Sequence, residues 1–168
     1  MRTWLSLTVF CLLWAFHVGA RADIYTEVHA LVQSRQWKPA LDLANERLKT
    51  APTDPQMRLL LSRIQTGLGQ TQAAMDTLKA LTLSFPELPE PHNNLAVLLA
   101  RDNRLEEALA ALQSALRARP DYPMALENMG DVYLTLAARA YEQALQLSPG
   151  LPRLQTKHNQ AQQVLKAP

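Results

Sequence analysis

The sequence predicts an all-α fold of stacked helical hairpins, and three observations carry that expectation. First, of 168 residues 31 are leucine and 24 alanine, whereas valine and isoleucine together number 9 and glycine 5. The chain is stocked with helix formers and poor in the β-branched residues that sheets favour, which excludes all-β and doubly wound α/β folds. Second, its 11 prolines keep time: Pro52, Pro86 and Pro120 are spaced by 34 and 34 residues, and each is followed three residues later by Pro55, Pro89 or Pro123. The first proline of each pair cannot continue a helix; the second, in the first turn of the next, lacks only an N–H that would have no partner there. Third, small residues recur in step with the prolines. Twelve places before them stand Ala40, Ala74 and Ala108, and twenty-four places before them Val28, Ser62 and Ala96. Small side chains at two fixed points let paired helices approach closely.

The remaining composition narrows the class. Charged residues are 19% and apolar residues 48%, values of a globular chain and not a disordered one. A formal charge of +2 is too small for a nucleic-acid binder, and no nucleic-acid partner is expected. The one cysteine, Cys11, excludes an internal disulfide and a cysteine-rich zinc site.

In chain order, residues 1–22 come first as an export signal. Arg2 precedes an apolar run from Trp4 to Phe16, which ends in Ala20-Arg21-Ala22, the small-x-small pattern of a signal-peptidase site. The alternatives are an uncleaved anchor in the inner membrane, facing the periplasm, and a buried first helix; the run is short of the roughly 20 apolar residues that cross a bilayer. Cleavage after Ala22 would place the protein in the periplasm and remove Arg2 and Arg21, leaving a mature domain with balanced charge. Helices follow at 23–34, 37–50, 55–68, 71–84, 89–102 and 105–118. The turns between hairpin helices fall at Ser34-Arg35-Gln36, Gly69-Gln70 and Asp102-Asn103-Arg104, where breaker residues collect.

This organisation resembles the tetratricopeptide repeat family, whose unit is a 34-residue helix–turn–helix with small residues where helices cross and a proline near its end. The resemblance covers about Asp23 to Pro149, in repeats at about 21–54, 55–88, 89–122 and 123–149. It implies a right-handed α-solenoid and a protein-binding role. Glu27, Arg47 and Gln65 depart from columns that are usually apolar or small.

The fourth unit lacks its turn. Pro123 is in phase, yet Pro149 arrives only 29 residues after Pro120, and counting back from it puts Ala137, Tyr141 and Ala144 in second-helix columns. Between Val132 and Leu147 there is no Gly, Pro, Asn or Asp, and the apolar positions 126, 129, 133, 136, 140, 144 and 147 form one stripe at helical period. A single helix over about 123–147 is therefore predicted, about 37 Å long, its distal half projecting from the hairpins. Residues 150–168 form a capping helix and tail, with Leu151, Leu154, Ala161, Val164 and Leu165 on one face. Two readings of the distal half stand: the last helix folds back on it as a cap, or Leu136, Ala140, Tyr141, Ala144 and Leu147 form a homodimer or partner surface.

Catalytic chemistry is not expected, nor any cofactor or metal. His29, His92 and His158 are scattered without a second ligand at metal spacing. No serine lies in a Gly-x-Ser-x-Gly setting, and Gly67-Leu68-Gly69 follows no strand and is a hairpin turn. The family resemblance instead implies a concave groove lined by the first helix of each repeat, taking an extended peptide. At the sixth position of that helix stand Asn94 and Asn128, one repeat apart, whose amides offer both donor and acceptor to a peptide backbone. Asn93, Val97, Arg101, Asp131 and Arg63 are expected beside them, with His92, Glu127, Leu59 and Thr66. The family's carboxylate-gripping variety needs basic residues where Glu90 and Met124 stand, so that activity is not carried over. The expected function is a non-catalytic adaptor of the cell envelope binding a protein or peptide partner, touching the membrane only through an unprocessed N-terminal segment. The alternatives are a structural homo-oligomerisation module built on the helix 123–147 and an accessory subunit of an enzyme that processes envelope polymer. The string from Pro91 onward also looks like exported bacterial proteins in which such repeats precede a small α+β domain, which would make this chain a short form.

Overall fold

The computed structural model describes residues 24–166. The expected export signal, residues 1–22 with Cys11, lies outside them. Every regular element among the described residues is a helix: α1 (24–33), α2 (Trp37–Thr50), α3 (Pro55–Gly67), α4 (Thr71–Ser84), α5 (Pro89–Arg101), α6 (Leu105–Ala118), α7 (Pro123–Leu147) and α8 (Pro152–Leu165). The bounds of α2, α4, α6 and α7 are those read from the sequence, while α3 and α5 stop one residue earlier, at Gly67 and Arg101.

Three turns repeat one geometry at the 34-residue spacing. Arg35, Gly69 and Asn103 each take the left-handed backbone conformation, with φ of 57°, 74° and 67°. The next amide reaches back five residues: Gln36 N to Leu31 O at 2.8 Å, Gln70 N to Gln65 O at 2.8 Å, Arg104 N to Leu99 O at 2.9 Å. This is the helix-terminating bond pattern that a left-handed residue makes accessible. One repeat later the same position is Ala137, which lies inside α7. Alanine pays the steric cost of a left-handed backbone, and the five residues needed to leave and re-enter a helix are missing there. The chain accordingly runs on as one helix of 25 residues.

The described chain falls into two compact units, one through Thr77 and one from Leu78 onward. In the first, α2 packs on α3, and the core gathers Val28, Val32, Ala40, Ala44, Met57 and Ile64 with Trp37 against it. Arg47, out of place in the sequence pattern, has a structural reason. Its Nε donates to Asp54 Oδ2 at 3.1 Å and its Nη2 to the Tyr25 hydroxyl at 3.2 Å, while Tyr25 also donates to Asp54. Asp54 caps α3 by accepting from Met57 N at 3.1 Å. Burial opposes ionisation of Asp54, but the Tyr25, Met57 and Arg47 donors outweigh it and hold the carboxyl below its ordinary range.

In the second unit α5 packs on α6 and α7, α6 on α7, and α7 on α8. Leu78, Leu81, Leu105 and Leu112 are fully buried, each contributing about 1.5–3 kcal/mol. Helix α8 starts with Pro152 at its first turn, as α3, α5 and α7 start with Pro55, Pro89 and Pro123. The last helix thus enters as the first helix of a further repeat would. It lies along α7, with Ala138 and Ala161 buried and Lys157 Nζ 5.6 Å from the Tyr141 ring centre.

Candidate functional site

Four of the expected groove residues converge in the second unit. Val97 and Arg101 on α5 and Asn128 and Asp131 on α7 line a cleft of about 240 Å³. Its floor is apolar, with Ala96, Ala100 and Val132, and its rim is charged. The sequence reading missed Thr135 and Arg139, which complete the α7 wall. Helical spacing could have found both. Residues 128, 131, 135 and 139 share one side of an α-helix, so an unbroken α7 carries the wall one turn past the point where a normal hairpin would turn away. Arg139 Nη2 donates to Asn103 Oδ1, which ties the wall to the left-handed turn between α5 and α6. The Thr135 hydroxyl donates to Asp131 O at 2.9 Å.

The asparagines are used differently from the expectation. Asn93 is not a groove residue: it is 1% exposed and accepts from Asn128 Nδ2 at 2.8 Å. A buried amide must be paired, and Asn93 satisfies its own Nδ2 on Asn94 Oδ1 at 3.5 Å, a long bond. Asn94 is half-buried and does not line the cleft. Asn128 therefore meets the cleft with one donor already committed, leaving its carbonyl and a second N–H. A side chain already held by a hydrogen bond loses less entropy when a ligand arrives.

Arg63 belongs elsewhere. It lines a separate, wider cleft of about 410 Å³ in the first unit with Tyr25, His29, Gln56 and Leu59. Thr66 is occupied locally, its hydroxyl donating to Ser62 O at 2.8 Å, and Glu127 is exposed. His92 faces the chain before α5: its Nε2 lies 3.2 Å from Pro86 O. Burial lowers its basicity most, and the Arg117 charge acts in the same direction, against the bond to Pro86. Glu90 accepts from Arg119 Nη2 at 2.9 Å, and the Arg119 guanidinium stands 5.1 Å from the Tyr122 ring centre.

Of the residues expected at an oligomer surface, Leu136, Tyr141 and Ala144 are half-buried, whereas Ala140 is exposed and Leu147 is 86% exposed. The capping helix covers one side of the distal half only. Among the described residues there is no group of three or more metal-ligating side chains, and no helix long and apolar enough to cross a membrane.

Comparison with known proteins agrees with this architecture. Residues 98–136 match the family model described as the TPR repeat. The chloroplast tetratricopeptide repeat domain-containing protein PYG7 of Arabidopsis thaliana is 32% identical over 68 residues, which cover 38% of this chain and 23% of that protein. The human protein O-mannosyl-transferase TMTC1 is 23% identical over 145 residues, 80% of this chain and 16% of that protein. The chain thus matches a quarter or less of the length of these curated relatives. Among solved structures, a thermophilic TPR protein of Thermus thermophilus superposes with a TM-score of 0.63 at 25% identity, covering 86% of this chain and 82% of that one. The type III secretion chaperone SycD of Yersinia enterocolitica, solved with a peptide of the translocator YopD, gives 0.62 at 16% identity, covering 70% and 95%. The 34-residue clock of prolines and left-handed turns, the repeat-model match and the shared fold lead to one conclusion: residues 98–136 carry a tetratricopeptide repeat, and the chain folds as tetratricopeptide-repeat proteins do.

Proposed function

We propose that the protein is a non-catalytic adaptor of the cell envelope, which holds an extended segment of a partner protein in the cleft between α5 and α7. The observation that carries this reading is the convergence of Val97, Arg101, Asn128 and Asp131 on one apolar-floored, polar-rimmed cleft. The floor suits an aliphatic side chain. The Asn128 amide suits a peptide carbonyl and N–H, each bond adding about 0.5–1.5 kcal/mol net. Arg101 and Arg139 favour an acidic residue on the partner, and Asp131 fixes its polarity along the cleft. That a fold neighbour is a chaperone solved with a bound peptide supports the same use of this architecture. The apolar run and Ala20-Arg21-Ala22 support export to the periplasm.

The test is capture from an envelope fraction with paired variants. A partner held by the wild type and by Leu83→Ser, which changes an exposed residue outside the cleft, should be lost with Arg101→Glu/Asn128→Ala. Full retention by that cleft variant refutes the assignment. Amino-terminal sequencing of the exported product checks cleavage after Ala22.

A further inference from the structure

Helix α7 leaves two apolar half-faces partly uncovered, and their columns are the ones buried in the third repeat. In the third repeat the first-helix columns Ala96 and Leu99 are 1% and 3% exposed. Thirty-four residues on, the same columns are Gly130, which is exposed, and Tyr133, which is 50% exposed, with Leu126 beside them at 49%. The second-helix columns behave alike. Ala108, Leu112 and Ala115 are fully buried. Their counterparts Ala137, Tyr141 and Ala144, 29 residues later, are only partly covered, and Ala140, the counterpart of buried Ala111, is exposed. The cause is the missing turn, because a straight helix cannot fold its second half onto its first. Helix α8 covers the second half only in part: its Lys157 stands over the Tyr141 ring, while Ala140 stays exposed.

We propose that a second copy of this chain covers this face, by reciprocal exchange of the two halves of α7. Two α7 helices running antiparallel place the first half of each (Leu126, Gly130, Tyr133) against the second half of the other (Ala137, Ala140, Ala144). Each copy thereby completes the other's fourth hairpin. The pairing is two-fold symmetric and closes at a dimer. Its occupant is selected by the sequence itself: the second half of α7 already carries the small second-helix columns that the first half is shaped to receive. Gly130, Ala137, Ala140 and Ala144 let the helix axes approach closely. Deleting the residues of a hinge is a known route to such exchange.

Sedimentation equilibrium on the full chain tests this. The expected result is a dimer. Inserting a copy of Asp102–Glu106 between Thr135 and Leu136 restores the 34-residue spacing from Pro120 to Pro149, lets each hairpin close on itself and should give a monomer. Tyr133→Glu, a change at an exposed site that the fold tolerates, should weaken the dimer about tenfold or more, as loss of a central aromatic anchor does. Leu83→Glu, equally exposed but off α7, should leave it unchanged. Circular dichroism confirms that each variant keeps its helices. A wild-type chain that stays monomeric up to about 0.1 mM, a turn-restored variant that dimerises as the wild type does, or a dimer indifferent to Tyr133→Glu overturns the proposal.

Discussion

Gly67 ends α3 against the indole of Trp37, and replacing it tests the packing of the first unit. A Cβ added at Gly67 falls 2.5 Å from Trp37 Cδ2 and Cε2 and 2.6 Å from Cε3. Carbon atoms in contact sit about 3.5–4.0 Å apart, so the ring must retreat by about 1 Å. These are atoms of a rigid bicycle that packs against the core of Val28, Ala40 and Met57, and not the free end of a long side chain. Overpacking of this kind costs about 1–3 kcal/mol. Alanine at a helical position recovers at most about 1 kcal/mol over glycine. Gly67→Ala should therefore destabilise by up to about 2 kcal/mol, read as a lower midpoint in urea at unchanged slope by circular dichroism. In a Trp37→Leu background the obstruction is gone, and the same substitution should be neutral or stabilising. The sign change isolates the contact from propensity. An effect of Gly67→Ala that is the same with and without the indole refutes the packing argument.

Three further outcomes follow from the geometry. Asp54→Ala should cost about 2–3 kcal/mol, about 1 from the lost cap and the rest from leaving Arg47 and Tyr25 without their shared acceptor. Asp54→Asn keeps an acceptor for Met57 N and should cost about half as much in the same urea titration. Arg35→Gly removes a non-glycine side chain from a left-handed backbone of φ 57°, and should raise stability by about 0.5–1 kcal/mol in thermal melts. His92 is held less basic than its ordinary value near 6.5 by burial. Below that pH the unfolded chain takes up a proton that the folded chain does not, so stability falls as pH drops from about 6.5 toward the folded value. Urea titrations at about pH 7.5 and 5.5 should show a loss for the wild type that is smaller in His92→Gln.

The helices were legible because local signals agree with one another: prolines at helix starts, breakers at turns, and a period-3.6 stripe that does not pause between Val132 and Leu147. That Val97, Arg101, Asn128 and Asp131 share one cleft follows from the family resemblance, which implies a groove along the first helices, and from the repeat, which places equivalent residues on equivalent surfaces. Asn93 was not. It is adjacent to Asn94 in sequence and differs only in a turn of the helix by about 100°, and one polar residue in a mixed stretch carries no sign of which side faces the core. The reason for Arg47 was equally hidden. Its column is usually apolar or small, and only the distant Tyr25 and Asp54, brought together by folding, give a charge a place there. Arg139 was hidden by treating the second half of α7 as a misplaced hairpin partner and not as an extension of the wall that Asn128 begins.

The loss of the fourth turn carries a constraint on insertions and deletions. Each residue advances an α-helix by about 100°. With five residues absent, Leu126, Gly130, Tyr133, Ala137, Ala140 and Ala144 all fall within a narrow sector of α7. With four or six absent, everything after the junction would be rotated by about 100° relative to what precedes it, and the apolar residues would wind around the helix instead of keeping to one side. Any change in length between Leu134 and Arg139 thus breaks the alignment of the two halves of α7. A lineage carrying this shortened repeat would be held to its residue count there even where side chains drift.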